Sequence, residues 1–223
     1  MIADYKIEKL FETEESIAID EIRKFEYPWE VLPHIGEIIL KLGAGLGEDY
    51  EKRGEDIWIH KTANVFPTAY IKGPCIICAE AEVRHCAFIR GNALVGAKAV
   101  VGNSTELKNV ILFNNVQVPH YNYVGDSILG FKSHMGAGSI TSNVKSDKTL
   151  VVVKDALSGE SFETGLKKMG AILGDNVEVG CGSVLNPGTV IGTHTNIYPL
   201  SSVRGCVPGN NIYKNQNEIV IKR

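Results

Sequence analysis

The sequence lacks several features that would each settle a class of function. No stretch reaches the ~18 uninterrupted apolar residues of a membrane helix, and the opening MIADYKIEKLFETEES is acidic, without the basic and apolar regions of a secretory leader. A cytoplasmic protein with no membrane partner is expected. Charge of neither sign is in excess: Lys+Arg 23 against Asp+Glu 26 gives a net −3, and no long basic run occurs, so nucleic acid is not an expected partner either. A small soluble ligand is the better expectation. Five cysteines, an odd number in a chain without a leader, point to reduced thiols rather than a disulfide framework. What is not scarce is apolar surface. Hydrophobic residues at 44% and charged residues at 22% over 223 positions exclude disorder and suffice for a core without disulfide or metal staples.

A period of six runs through the middle of the chain. Stepping by six from Ile59 lands on Val65, Ile71, Ile77, Val83, Ile89, Val95, Val101, Leu107 and Phe113; a second run gives Leu173, Val179, Leu185, Ile191, Ile197 and Val203. Two residues before most of these stands a small residue, as at Ala81, Ala87, Ala93, Ala99, Thr105, Ser183, Thr189, Thr195 and Ser201. Six is no helical period, but it is three strand periods, so every sixth residue of an extended segment points the same way. Short strands separated by tight corners would send these aliphatics inward and leave the corners to small residues. Three hexads per coil then stack as parallel strands into a triangular prism, an all-β parallel β-helix. Within that frame Cys75 takes a small inward position, whereas Cys78 follows an inward residue and faces out. The pair therefore diverges and does not grip one ion.

The flanks follow other rules. Ile35, Ile38, Ile39 and Leu42 keep helical spacing after Pro33, with Gly43 as a stop, and a shorter helix is expected over Ser16 to Phe25 with Ser16 as its N-cap. Residues 1–55 thus form a helical appendage, expected to cap the open end of the prism. Residues 56–207 form the coils, and 208–223 a tail with a last strand at Glu218-Ile219-Val220-Ile221 after a turn at Cys206-Val207-Pro208-Gly209. The register is expected to slip at Pro119, and a polar insert occupies about 144–169. Phe88, Leu94 and Val100 are expected on flat outer faces suited to self-association.

Chemistry-bearing residues gather where the repeat breaks. His120 lies beside a glycine-rich turn, Gly136-Ala137-Gly138, which offers a proton acceptor near neutral pH and approachable backbone N–H groups for an oxyanion. Taken alone, Arg90 and Lys108, each following an inward residue of its hexad, read as a solvated outer face.

Three segments carry a resemblance. Asn103-Ser104-Thr105-Glu106-Leu107-Lys108, then His120-x-x-Tyr123-Val124-Gly125-Asp126, then Met135-Gly136-Ala137-Gly138-Ser139-Ile140-Thr141-Ser142-Asn143 resemble, in order and spacing, the acetyltransferase half of the bifunctional glucosamine-1-phosphate acetyltransferase/N-acetylglucosamine-1-phosphate uridyltransferases. Thr164-Gly165-Leu166-Lys167-Lys168-Met169-Gly170 resembles especially the archaeal-type sugar-1-phosphate versions. The resemblance covers about residues 57 to 207. It implies a left-handed β-helix, a homotrimer with active sites between chains, and acetyl-CoA-dependent N-acetylation of an amino-sugar 1-phosphate for sugar-nucleotide synthesis, with no metal required. It gives His120 as the base, Arg90, Lys108 and Tyr123 as phosphate ligands, and Asn143 as a sugar ligand. It gives Gly136 or Ala137 to the oxyanion, and coenzyme A lies near Cys181 and Pro199. His134 stands at a substrate position where the family usually has Asn, Val144 replaces a usual Tyr, and the family's C-terminal arginine for coenzyme A has no match.

Other readings remain open on the residues alone. A uridyltransferase half would need a nucleotide-binding domain of about 200 residues, and only about 55 precede the coils. A prism that has lost activity could serve as a sugar-nucleotide-binding scaffold. A zinc site of the γ-class carbonic anhydrase kind would use His85 and His120, but position 125, where the third histidine is needed, is glycine.

Overall fold

The computed structural model describes residues 1–222. Its centre is a three-sided parallel β-helix whose strands pair coil upon coil: Ile59 lies opposite Ile77, Val65 opposite Val83 and Ile71 opposite Ile89, each pair eighteen residues apart. The first face stacks Ile57–His60, Cys75–Ile77, Ala93–Val95, the C-terminal halves of Glu106–Leu112 and Tyr123–Leu129, Ala171–Leu173, Thr189–Ile191 and Cys206–Val207. The second carries Asn64–Val65, Glu82–Val83, Val100–Asn103, Gln117–His120, His134–Met135, Glu178–Val179, Asn196–Ile197 and Asn211–Asn215. The third carries Tyr70–Ile71, Phe88–Ile89, the N-terminal halves of the two long strands, Ile140–Thr141, Val184–Leu185 and Ser202–Val203.

The hexad residues fill the interior as expected, with Ile77, Val83, Ile89, Val95, Val101 and Leu107 fully buried. Phe113 is an exception. Val95 pairs with Leu112 rather than Phe113, because the step from the third face to the first is one residue shorter at Lys108-Asn109. The register therefore slips there, before Pro119, and Phe113 turns outward to pack on Phe11 at 4.7 Å. Asn109 (φ 56°) and Asp126 (φ 49°) occupy these shortened corners, where short polar side chains tolerate the left-handed region. Gly102 shows how closely coils approach: a Cβ there would fall 1.6 Å from the carbonyl oxygen of Pro119.

The first face is apolar on both sides. Besides the inward column, Ile76, Leu94, Ile111, Ile128, Ile172 and Val190 point outward and are fully buried. The covering is the N-terminal appendage, whose helices lie along this face. Its helix Ile35–Ala44 runs through Gly43 and packs on strands Cys75–Ile77, Ala93–Val95 and Glu106–Leu112. Leu94 is accordingly not free for self-association; of its proposed neighbours, Phe88 is exposed and Val100 half-buried. The shorter expected helix contracts to Ile19–Ile22 with Ala18, not Ser16, at its N-cap; Ser16 Oγ accepts only the Ala18 N–H, at 3.2 Å. Within the same residues 1–55, the strand Tyr50–Lys52 pairs antiparallel with Ile57–His60 and covers the end strand, so the capping falls to a strand and not to the helices. Tyr50 also lies against Cys78, so this cysteine is 2% exposed and not at an outer surface. Burial pushes its thiol up to about 11.

The insert returns after twenty-six extra residues, since Met135 pairs with Val179, forty-four on, instead of eighteen. It folds back through the antiparallel strands Val152–Lys154 and Ser161–Glu163, and its Phe162 packs on Tyr27 and Trp29 of the appendage at 5.1 and 5.3 Å. At the C-terminus Cys206–Val207 is a strand, not a turn, and Glu218–Ile221 closes a hairpin with Asn211–Asn215. No helix among the described residues is long and apolar enough to cross a membrane.

Candidate functional site

His120 ends the strand Gln117–His120 on the second face, and Tyr121 (φ 54°) turns the chain onto the third. Its backbone is fixed from several sides. Asn122, 2% exposed, accepts the His120 N–H at 3.1 Å and donates to the carbonyls of Gly136 at 2.9 Å and Ser139 at 3.0 Å. The His120 carbonyl in turn accepts the Gly138 N–H at 2.9 Å. The ring itself is on an exposed residue and meets no hydrogen-bond partner among the described residues. A rigid backbone under an unengaged imidazole suits a group that must meet a ligand.

On the third face, side chains from successive coils converge around Asp126, which is 4% exposed. Lys108 Nζ donates to both of its oxygens, at 2.9 and 3.2 Å, and Asn143 Nδ2 bonds Asp126 and the Tyr123 hydroxyl, the latter at 3.2 Å. Arg90 pairs with Glu106 at 2.8 Å. Burial, and after it the carboxylates of Asp126 and Glu106, raise the Tyr123 phenol, which stays a neutral donor. Arg90, Lys108, Tyr123 and Asn143 are thus brought together, but both cations are already paired within the chain. Sequence reading missed those two carboxylates as partners. The signal was there: Lys108 and Asp126 are eighteen apart, and Arg90 and Glu106 sixteen, each close to one coil.

His134 joins a different group. It lies opposite Gln117 on the second face, three residues back along the strand from the level of His120, in a groove of about 550 Å³ with Gly136, Glu178, Cys181, Pro199 and Lys222. Its Nδ1 is 2.8 Å from Glu178 Oε2, an ion-pairing geometry when the ring is protonated. Gly136 corrects an expectation: its N–H is consumed by the Val179 carbonyl at 2.7 Å, the ordinary coil-to-coil bond. Ala137 is the donor left over. Its residue is exposed and its N–H meets no acceptor among the described residues.

His120 therefore stands on the edge shared by two surfaces, the groove of the second face and the cationic cluster of the third. His85, the other histidine considered for zinc, is held by Thr68 at 2.9 Å and packs edge-on against Phe66 at 4.7 Å.

Residues 71–195, more than half of the chain, match the family described as GMPPB C-terminal domain. Among curated proteins, the chain is 34% identical over 137 residues to a bifunctional protein GlmU of Methanococcus maripaludis, covering 61% of this chain and 33% of that one. A GlmU of another strain of the same species is 31% identical over 201 residues, covering 88% of this chain and 48% of the relative. A bifunctional sugar-1-phosphate nucleotidylyltransferase/acetyltransferase of Sulfurisphaera tokodaii is 27% identical over 191 residues, covering 84% and 47%. The chain spans between a third and a half of the length of these relatives.

Proposed function

The chain belongs to the GMPPB C-terminal domain family, and we propose on that footing that it transfers the acetyl group of acetyl-CoA to the amine of an amino-sugar 1-phosphate. The observation that carries this reading is the position of His120 at the corner between the face that bears the Gly136–Cys181–Pro199 groove and the face that bears the Arg90–Lys108–Tyr123–Asn143 cluster. A co-substrate on one side and a phosphorylated acceptor on the other would meet at the imidazole.

The chemistry needs little more. The neutral amine of the acceptor attacks the thioester carbonyl carbon, and the new C–N bond forms as His120 accepts the proton leaving the nitrogen. The Ala137 N–H, left without an acceptor among the described residues, would receive the developing oxyanion. Collapse breaks the C–S bond, and the departing thiolate takes a proton from the imidazolium, which restores the neutral base. The pairs Arg90–Glu106 and Lys108–Asp126 keep both cations ordered in advance of the phosphate, at the cost of competition for their donors.

Further parts of the reading rest on the same resemblance. The coils wind left-handed, the protein is cytoplasmic, and three chains associate with sites between them. Exposed Tyr70 and Phe88, edge to face at 5.7 Å on the third face, give that association an apolar contact. His134, Gly136, Cys181 and Pro199 line the co-substrate side, and residues 1–55 and 208–223 flank the catalytic coils.

The test is thiol release from acetyl-CoA with glucosamine 1-phosphate or galactosamine 1-phosphate, with the acetylated product identified by mass. Turnover that survives in His120→Ala removes the base from its role. A wild-type protein that binds these sugars, or their nucleotide conjugates, but turns over none is a binding scaffold instead.

A further inference from the structure

The appendage and the acceptor cluster are joined by one chain of hydrogen bonds. Asn109 sits at the shortened corner between the third and first faces. Its Nδ2 donates at 3.1 Å to the carbonyl oxygen of Leu32 in the appendage and at 3.0 Å to Asp126 Oδ1. Its Oδ1 accepts from Asn92 Nδ2 at 3.4 Å. Asn92 in turn lies directly under the helix Ile35–Ala44: a Cβ on Gly36 would stand 2.8 Å from Asn92 Oδ1. Asp126 also accepts from Lys108 through both oxygens and from Asn143 through Oδ2. The Asn109 side chain thus hydrogen-bonds the appendage, Asn92 and the buried carboxylate but none of the residues assigned to the acceptor.

We infer that Asn109 is a positioning residue through which the N-terminal appendage sets the acceptor site. Asp126 Oδ1 is shared by Asn109 and Lys108, while Oδ2 is shared by Lys108 and Asn143. Rotation of that carboxylate would move the ammonium and the amide together. Asn109 blocks the rotation because its own amide is anchored to a backbone carbonyl outside the coils. The appendage lies outside residues 71–195, the part that matches the family. The inference rests on the acetyl-transfer reading only for its kinetic consequence.

Asn109 has φ 56°, so Asn109→Gly keeps the backbone conformation while deleting the amide, and Asn109→Asp keeps the shape but sets a second carboxylate against Asp126. In the full-length protein both variants are expected to raise the KM for the amino-sugar 1-phosphate about tenfold, the scale of one lost charge-assisted hydrogen bond. The KM for acetyl-CoA is expected to stay within twofold. Native hydrogen exchange of peptides spanning residues 123–129 and 169–173 should quicken in both variants, whether or not any sugar turns over. Folded variants with unchanged exchange and an unchanged acceptor KM overturn the inference, as does an equal rise in both KM values. A wild type without turnover sinks the acetyl-transfer reading alone, and the exchange measurement then decides the coupling.

Discussion

Lys108 Nζ lies 2.9 Å from Oδ1 of Asp126, and the two side chains are 29% and 6% exposed, whereas Arg90 and Glu106, at 2.8 Å, are 47% and 32% exposed. Two ion pairs of similar length thus differ in how much water screens them. Lys108→Ala leaves a buried carboxylate without its cation and is expected to cost about 1–3 kcal/mol of stability. Arg90→Ala is expected to cost less than about 1 kcal/mol. Urea unfolding of both variants checks the order; equal losses would contradict it.

His120→Ala is expected to reduce kcat about 10² to 10⁴-fold with little change in stability, because the ring anchors nothing. Asn122→Ala is expected to do the opposite in part. It removes the amide that holds the Gly136 and Ser139 carbonyls and should cost about 1–3 kcal/mol, lowering activity through the displaced turn. Melting curves measured beside the kinetics separate the two effects.

Thiol reactivity follows burial. Cys86 and Cys181 are exposed, while Cys75, Cys78 and Cys206 are buried, with the Cys206 thiol pushed up to about 12 by burial. Two thiols are expected to react with a disulfide reagent in the native protein, and the remaining three only after denaturation. Coenzyme A should slow labelling of Cys181 and leave Cys86 unaffected; protection of neither would place the co-substrate elsewhere.

Asp175, 1% exposed, clasps the N-terminal arm by accepting the Thr13 hydroxyl at 2.9 Å, the Thr13 N–H and the Phe131 N–H. Burial raises its pKa, against the pull of those bonds. A folded pKa above the unfolded value of 3.8 means that the contribution is fully present below that pH and declines as pH rises through the folded value. The stability of wild type relative to Asp175→Asn should therefore fall as pH rises from the unfolded value of 3.8 through the folded one. A difference that grows with pH over that interval would contradict the burial argument.

The double-sided burial of the first face is legible in the sequence. Cys75-Ile76-Ile77, Ala93-Leu94-Val95 and Ala171-Ile172-Leu173 are continuous apolar triplets, the mark of strands buried on both sides, whereas Glu82-Val83 and Glu178-Val179 alternate. Phe113 misled for the opposite reason. It fits the period of six by position, yet its burial comes from Phe11, a partner far away in the chain. The motif residues were legible as chemistry, but not which of them face one another.

By itself the sequence determined the coil, because a period of six is a local property: each hexad needs only its own corner and its own inward aliphatic to repeat the turn. It also marked His120 and the glycine turn as chemistry, although it put the break in the repeat at Pro119 and the short corners lie at Asn109 and Asp126. Only the tertiary structure decided that Lys108 and Arg90 find carboxylates, that Gly136 gives up its N–H while Ala137 keeps one, and that His134 parts from the acceptor cluster. Those outcomes depend on which residue of one coil lies over which residue of the next. Two corners one residue short and an insert of twenty-six residues reset that alignment.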